Sequence, residues 1–219
     1  MAAPFVVQRL HRSRERRDAL FMPTPDSRIS AVVIGASTGG PNALEAVLAG
    51  LPATWPVPVL IVQHMPAHFI PMLVQRLGAR CRLPVVEARH DQLVVPGVVT
   101  VAPGGRHLSV ERRGGPVRVT LSDGPPENAC RPAADVLFRS AATVYGAGTL
   151  AVVLTGMGYD GLKGCEVLRG VGARVVVQDE ATSVVWGMPG AVSQAGLASR
   201  ELPLPQIAPE IVRAVLSPL

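Results

Sequence analysis

The stretch of sequence that decides the fold reads Ala31-Val32-Val33-Ile34-Gly35-Ala36-Ser37-Thr38-Gly39-Gly40. Apolar residues lead into small ones, and Pro41 follows at a position where the first turn of a helix favours proline. This pattern predicts a buried strand, a tight turn at Ser37 and then a helix. Gly35–Gly39 fits the G-x-S-x-G pattern, in which a turn lifts a serine hydroxyl above the end of a sheet. Taken alone, the same residues fit a phosphate-binding loop or a plain strand-to-helix connection equally well.

Strand and helix patterns alternate outward from this stretch. Buried strands are predicted at Ala31–Gly35, Val57–Val62, Pro84–Ala88, Leu150–Leu154, Ala173–Val177 and Leu197–Leu202. Helices are predicted near Pro41–Ala49, Pro66–Leu77, Pro132–Tyr145, Leu162–Arg169, Pro189–Ala195 and Pro205–Leu216. Gly50 and Gly78 stand where the first two helices are expected to end.

The alternation of strands and helices is interrupted between the third predicted strand and the third predicted helix. Val98–Ala102 and His107–Val110 are short and partly alternating, and Gly114 and Gly115 separate the second run from Val117–Leu121. Alternating runs on either side of glycines predict a β-hairpin, so we expect an antiparallel element in this region. The whole pattern predicts an α/β fold: a doubly wound, mostly parallel sheet with helices on both faces and an antiparallel β-hairpin element.

Composition and charge argue against several classes of protein. The formal charge of +5 is concentrated in residues 1–28, which we expect to be a flexible basic leader or linker ahead of a domain at 29–219. The nearly balanced charge of that domain predicts no nucleic-acid partner. No apolar run is long enough to cross a bilayer and no signal-peptide pattern precedes Ala31, so we expect a cytoplasmic protein without membrane insertion. Three widely separated cysteines fit reduced thiols in that compartment.

Three reactive side chains follow predicted strands. Ser37 follows the first strand, His64 follows the second, and Asp160 comes shortly after Leu150–Leu154. The carboxyl ends of parallel strands lie at one edge of a sheet, where ligands and catalytic groups gather. A serine nucleophile needs a base, which imidazole can provide, and the imidazole needs a carboxylate to orient it. Each signal is weak alone, but their joint placement predicts a catalytic triad.

A dinucleotide site is the main competitor for the glycine-rich turn. It requires G-x-G-x-x-G and an acidic residue at the end of the second strand. Here Ser37 takes the place of the central glycine, and the second strand ends in Gln63 and His64. No histidines or carboxylates have the helical spacing of metal ligands, so we expect neither a metal nor a cofactor. The order Ser, His, Asp also differs from the Ser, acid, His order of the α/β-hydrolases.

From about Ile29 to Leu216 the chain resembles the catalytic domain of the chemotaxis protein-glutamate methylesterases, the CheB family. The resemblance rests on motifs in the same order: Ile34–Gly40, Gln63–Pro66, Pro96-Gly97, Ala102–Gly104, Asp123–Pro126, Arg131-Pro132, Leu154–Gly161 and Gly187–Pro189. The catalytic serine, histidine and aspartate of the family correspond to Ser37, His64 and Asp160. These are the residues that the strand ends had already indicated.

The resemblance implies hydrolysis of glutamyl methyl esters on the cytoplasmic helices of methyl-accepting chemoreceptors, giving glutamate and methanol. Ser37 would attack the ester, and backbone N–H groups near Thr38 and Met157 would hold the oxyanion. Some members of the family also deamidate receptor glutamines by the same route. A non-catalytic receptor-docking module and a nucleotide-binding domain are the alternatives to this interpretation.

Two features depart from the family pattern. The family usually carries an N-terminal receiver domain, whereas only residues 1–28 precede the domain predicted here. We therefore expect no receiver domain in this chain, which would be either a free-standing esterase or a truncated one. Similar proteins often have His and Ser within an Asn-x-x-Arg-Pro segment, where this chain has Cys130 and Ala133. The second departure leaves the predicted triad intact and bears on the surface that faces the substrate.

Overall fold

A computed structural model describes residues 28–217 of the chain. Its strands are β1 (Ala31–Ala36), β2 (Val59–Gln63), β3 (Val85–Glu87), β4 (Val99–Val101), β5 (His107–Arg112), β6 (Val117–Ser122), β7 (Thr149–Val153), β8 (Arg174–Gln178) and β9 (Arg200–Leu202). In this part of the chain, seven strands form one parallel sheet in the order β3-β4-β2-β1-β7-β8-β9. Strands β5 and β6 pair separately as an antiparallel hairpin. The predicted fold class is confirmed.

Helices cover both faces of the parallel sheet. They are α1 (Gly40–Ala49), α2 (Ile70–Arg80), α3 (Ala134–Tyr145), α4 (Leu162–Gly170), α5 (Met188–Gln194) and α6 (Leu204–Leu216). Helices α1, α2 and α6 share one buried core with Val32 and Ile34 of β1. Helices α3, α4 and α5 and the hairpin share the opposite core with Val33. Successive side chains of a strand point to opposite faces, so a strand buried on both sides needs the unbroken apolar run seen in β1.

The second helix differs from its prediction over Pro66–Leu77. It begins with a 3₁₀ turn at Ala67–Phe69 and continues as α2 through Gly78, where we had expected it to end. Glycine within a helix costs about 1 kcal/mol relative to alanine. The helix nevertheless continues to Arg80, and the N–H of Cys81 donates to Leu77 O over 2.8 Å. The prediction that Gly78 ends the helix is therefore wrong.

The segment Val98–Ala102 also differs from its predicted place in the fold. We had grouped it with the antiparallel element, but it forms β4, which lies inside the parallel sheet between β3 and β2. Val99 and Val101 are fully buried there. A three-residue strand is too short for its sequence period to distinguish a parallel from an antiparallel neighbour.

Two expectations concern the chain beyond the sheet. The predicted basic leader, residues 1–28, lies outside the described residues except for Arg28, so its flexibility stays a prediction. Between residues 28 and 217, every helix is too short or too polar to cross a membrane.

The strand order places three strand ends side by side. From β1 the chain proceeds through β2 to β3 and β4 on one side, then returns to β7 on the other side of β1. Such a reversal opens a crevice at the carboxyl ends of the two central strands, where open parallel sheets bind their ligands. The topology therefore indicates that a ligand or substrate would bind near the loops that follow β2, β1 and β7.

Candidate active site

The carboxyl ends of β2, β1 and β7 carry the three predicted residues. Ala36 is paired with Gln63 in the last register of β1 and β2, so Ser37 and His64 follow on neighbouring strands. The backbone N–H of His64 donates to Ala36 O over 3.0 Å. Asp160 lies on the loop after β7, just before α4. Three residues predicted from separate parts of the chain thus lie at one edge of the sheet.

A hydrogen bond of 2.7 Å joins His64 Nε2 to Asp160 Oδ2. The Asp160 side chain is only 2% exposed. Four other N–H groups donate to its carboxylate, from the backbone of Ala134, Asp135 and Gly161 and from the amide of Asn128. Burial alone raises the pKa of Asp160, but the hydrogen bonds, that of His64 first, outweigh burial and bring the pKa below its ordinary value. Asp160 is therefore an ionised acceptor at neutral pH, and Nε2 of His64 carries the proton between them.

Asn128 connects Asp160 to a second buried carboxylate. Its Nδ2 donates to Asp160 Oδ1 over 2.9 Å and to Asp135 Oδ2 over 2.8 Å. Asp135 is fully buried in the first turn of α3, and its other oxygen accepts the N–H of Gly164 over 2.6 Å. Burial raises the pKa of Asp135 above its ordinary value. An amide nitrogen has two hydrogens, so Asn128 can serve both carboxylates at once.

Gln63 and the loop after β7 hold the turn that carries Ser37. Gln63 is 1% exposed, and its Nε2 donates to the carbonyl oxygens of Ser37 and His64 over 2.9 and 3.0 Å. The N–H of Ser37 donates to Thr155 O over 3.0 Å. A Cβ added to Gly156 would lie 2.8 Å from Ser37 Cβ. Only glycine allows the two loops to approach so closely.

The hydroxyl of Ser37 and the second nitrogen of His64 are not joined to each other. Within residues 28–217, Ser37 Oγ makes no hydrogen bond. Nδ1 of His64 instead has Cys130 Sγ at 3.5 Å. Hydrogen bonds between nucleophile and base are often long before substrate binds. The structure therefore places Ser37 beside the His64–Asp160 pair without a Ser–His hydrogen bond.

The resemblance predicted that the backbone N–H groups of Thr38 and Met157 hold the oxyanion. Among the described residues, neither the N–H of Thr38 nor that of Met157 has a hydrogen-bond partner. Thr38 lies just before α1, and the N-terminus of a helix favours negative charge.

Three exposed apolar side chains lie on loops at this edge. Met157, Tyr159 and Val184 are 72%, 55% and 68% exposed, and we call these three side chains the apolar rim.

Sequence reasoning identified some of these residues and missed others. Ser37, His64 and Asp160 follow strands, and that local signal was sufficient to find them. Gln63 was recognised as a residue that is not acidic and as part of a family motif, and Asn128 only as part of a motif, so neither was given a role. Their contacts depend on segments that are far apart in the sequence, so no local pattern indicates them. Between residues 28 and 217 no group of three or more His, Cys, Asp or Glu side chains is arranged to hold a metal ion.

The fold and the site together define a class of α/β protein, with serine, histidine and aspartate following three adjacent strands of a parallel sheet. The chain belongs to the CheB methylesterase family, whose family model matches residues 32–211. The resemblance found in the sequence is confirmed. The crystal structure of the Thermotoga maritima CheB methylesterase catalytic domain is similar, with a TM-score of 0.83 at 40% identity. That match covers 85% of this chain and 99% of the Thermotoga chain.

Curated relatives carry the name protein-glutamate methylesterase/protein-glutamine glutaminase. The one from Trichodesmium erythraeum (strain IMS101) is 50% identical over 188 residues, covering 86% of this chain and 53% of the relative. The one from Nocardioides sp. (strain ATCC BAA-499 / JS614) is 54% identical over 182 residues, covering 83% of this chain and 50% of the relative. The chain thus spans about half the length of the curated relatives that it matches.

Proposed function

We propose that this chain is a serine esterase that hydrolyses the methyl esters of glutamate side chains on chemoreceptors, releasing glutamate and methanol. The observation that carries the proposal is the hydrogen bond of 2.7 Å between His64 and the buried Asp160, with His64 on the strand end next to that of Ser37. A charged partner on one ring nitrogen leaves the other nitrogen to act as a base. The names of the similar proteins supply the substrate class.

The proposed reaction begins with attack by Ser37 Oγ on the ester carbonyl carbon. Since Nε2 of His64 donates to Asp160, the serine proton passes to Nδ1. The carbonyl oxygen becomes an oxyanion, which the free N–H groups of Thr38 and Met157 would stabilise by about 3–4 kcal/mol per donor. His64 then protonates the departing methoxide, and methanol leaves behind an ester between Ser37 and the glutamyl group.

Hydrolysis of this acyl-enzyme completes the cycle. His64 removes a proton from water, the resulting hydroxide attacks the same carbonyl, and Ser37 recovers its proton as glutamate is released. A glutamine side chain could enter the same route with ammonia as the leaving group, which would account for the second half of the relatives' name. Asp160 stays ionised throughout and stabilises the imidazolium that forms in each step.

The proposed partner is the methylated cytoplasmic helix region of a chemoreceptor, and the proposed compartment is the cytoplasm. The apolar rim supports a protein substrate, because its large side chains lie exposed on the loops around Ser37. Exposed apolar groups next to a reactive residue are typical of surfaces that bind another macromolecule. The nucleotide-binding alternative lacks support, since Gln63 and His64 end β2 where an acidic residue would hold a ribose.

The test is methanol release from methylated receptor by the wild-type chain and by Ser37→Ala. We expect the variant to bind receptor normally and to lose at least about a thousandfold in rate, because it lacks the nucleophile. Ser30→Ala is the matched control, since Ser30 is exposed at the opposite, amino end of β1. Full activity of Ser37→Ala would refute the mechanism. Receptor binding without turnover by the wild type would favour the non-catalytic docking module.

A further inference from the structure

One turn contacts both members of the His64–Asp160 pair. Glu127 and Cys130 exchange two backbone hydrogen bonds of 3.0 and 2.8 Å, and Asn128 between them has a φ of 52°. The turn extends the Asn128 amide to Asp160 and the Cys130 thiol to Nδ1 of His64. The two catalytic partners are thus each touched by a side chain from the same four residues.

The turn is held in place firmly enough to position these side chains. Ala129 has a φ of 60°, a conformation that residues with a Cβ rarely adopt. Glu127 accepts two hydrogen bonds of 2.6 Å from Arg139 of α3, which fasten the turn to that helix. A strained backbone persists where surrounding contacts determine it, and such positions are concentrated at functional sites.

The direction of the Cys130–His64 hydrogen bond follows from which atoms of Asp160, His64 and Cys130 carry hydrogens. Asp160 is an ionised acceptor, so in the neutral form of His64 the hydrogen is on Nε2 and the lone pair is on Nδ1. Burial, and then the negative charge of Asp160, raise the pKa of Cys130. The sulfur therefore keeps its proton at neutral pH, and the thiol is the donor to Nδ1. An imidazole nitrogen has a single lone pair, which is also the one that must accept the proton of Ser37.

We propose that Cys130 is a positioning residue whose thiol caps Nδ1 of His64 at rest and releases it when Ser37 transfers its proton. This inference rests on the proposed esterase function and adds a residue to it. A thiol is a weak donor, so it can hold the ring in the productive tautomer and still yield to the serine hydroxyl. Cys130 would have this role at a position where similar proteins often have histidine.

Other charged and titratable groups around the ring must stay constant in any test. Asp160 and Cys130 contact the imidazole directly. The groups behind them are Asp135, reached through Asn128, the Glu127–Arg139 ion pair, and His107, whose Nε2 donates to Pro125 O and whose Nδ1 accepts the N–H of Ala133. A substitution at Cys130 alone leaves all the other groups named here in the sequence.

The first experiment follows the His64 ring resonances by NMR as a function of pH, in a Cys81→Ala background. Within residues 28–217 the Cys81 sulfur accepts a hydrogen bond from the nearby N–H of Leu83 alone, and Cys165 is fully buried, so Cys130 is the thiol under study. A thiol hydrogen bond stabilises neutral imidazole. Its loss in Cys130→Ala should therefore raise the pH at which the ring becomes protonated, by about 0.5 pH unit. Cys130→Ser, which keeps a donor, should restore part of the difference.

The second experiment separates hydrogen bonding from simple burial and needs no substitution at Cys130. Methyl methanethiosulfonate transfers a methylthio group to Cys130: a sulfur–sulfur bond forms, methanesulfinate leaves, and the thiol proton goes to the buffer. The product is bulkier but has no proton to donate. The hydrogen bond predicts a higher protonation pH for His64, whereas burial alone predicts a lower one. Dithiothreitol should reverse the change.

The outcomes separate this inference from the proposed function. With methylated receptor as substrate, we expect the acid limb of the kcat/KM profile to move to higher pH in Cys130→Ala, in step with the NMR titration. An unchanged or lower protonation pH for His64 after either treatment would overturn the role of Cys130, even if methanol release were normal. The expected NMR shifts without any methanol release would overturn the esterase proposal and leave the Cys130–His64 contact established.

Discussion

The Asp160→Asn substitution would probe the site most directly, because the carboxylate accepts five N–H donors. Oδ2 accepts from His64 and from one backbone N–H, and Oδ1 accepts from the Asn128 amide and two backbone N–H groups. An asparagine has one oxygen and one NH₂ group. If the NH₂ group takes the place of Oδ1, three N–H donors lose their acceptor inside a buried site. If it takes the place of Oδ2, the backbone N–H of Ala134 loses its acceptor and His64 must change its tautomer.

The cost of this substitution follows from those orphaned donors. Each buried donor left without a partner costs about 1–3 kcal/mol, so the orientation that orphans a single backbone N–H costs about that much in the free energy of unfolding. Removing the buried charge offsets part of this cost, because burial opposes ionisation of Asp160. We therefore expect a loss of about 1–2 kcal/mol, at the lower end of that range.

The same substitution should also disable the base. If the NH₂ group faces His64, the ring must turn its lone pair toward it and place its hydrogen on Nδ1, where Ser37 needs an acceptor. By analogy with other serine triads, we expect the rate of methanol release to fall by about 10³–10⁴-fold. Substrate binding should change little, since Asp160 is 2% exposed.

Urea denaturation and the methanol assay measure the two effects separately. The matched control is Asp123→Asn, since that side chain is 73% exposed and forms an ion pair with Arg106 on the surface. Exposed pairs of this kind contribute about 0–1 kcal/mol. If Asp160→Asn were as stable as the control variant, the hydrogen-bond argument would be refuted. Retained activity would show that the His64 tautomer does not matter.

Two further predictions concern the same site. Gly156→Ala should reduce the rate of methanol release, because the new Cβ would press on Ser37. Gly170→Ala is the control and should reduce the rate much less, since a Cβ there meets no atom within 4 Å. Equal rates for the two variants would contradict the close approach. The lowered pKa of Asp160 means that its ionised form stabilises the fold at neutral pH, and this contribution is lost as the pH falls below about 4. The difference in unfolding free energy between the wild type and Asp160→Asn should therefore shrink between pH 7 and pH 3, and a constant difference in urea denaturation would show that Asp160 is not the source.

Much of the catalytic edge could be predicted because its signals are local. Ser37, His64 and Asp160 each follow an apolar run, and parallel strands bring such positions to one edge whatever their order in the sheet. The strand order itself, with β4 between β3 and β2, has no local signal. The end of α2 was also missed, because a glycine is a common but not an obligatory helix end, and α2 continues through Gly78 to Arg80.

The sequence by itself determined the alternation of strands and helices, the family, and the three residues at the strand ends. Tertiary structure decided how those residues face one another. Asp160 meets one nitrogen of His64 from 96 positions away in the chain, and Cys130 meets the other from 66 positions away. The orientation of an imidazole ring depends on which groups contact its two nitrogens, and those groups come together only when the loops after β2 and β7 and the turn before α3 pack against each other.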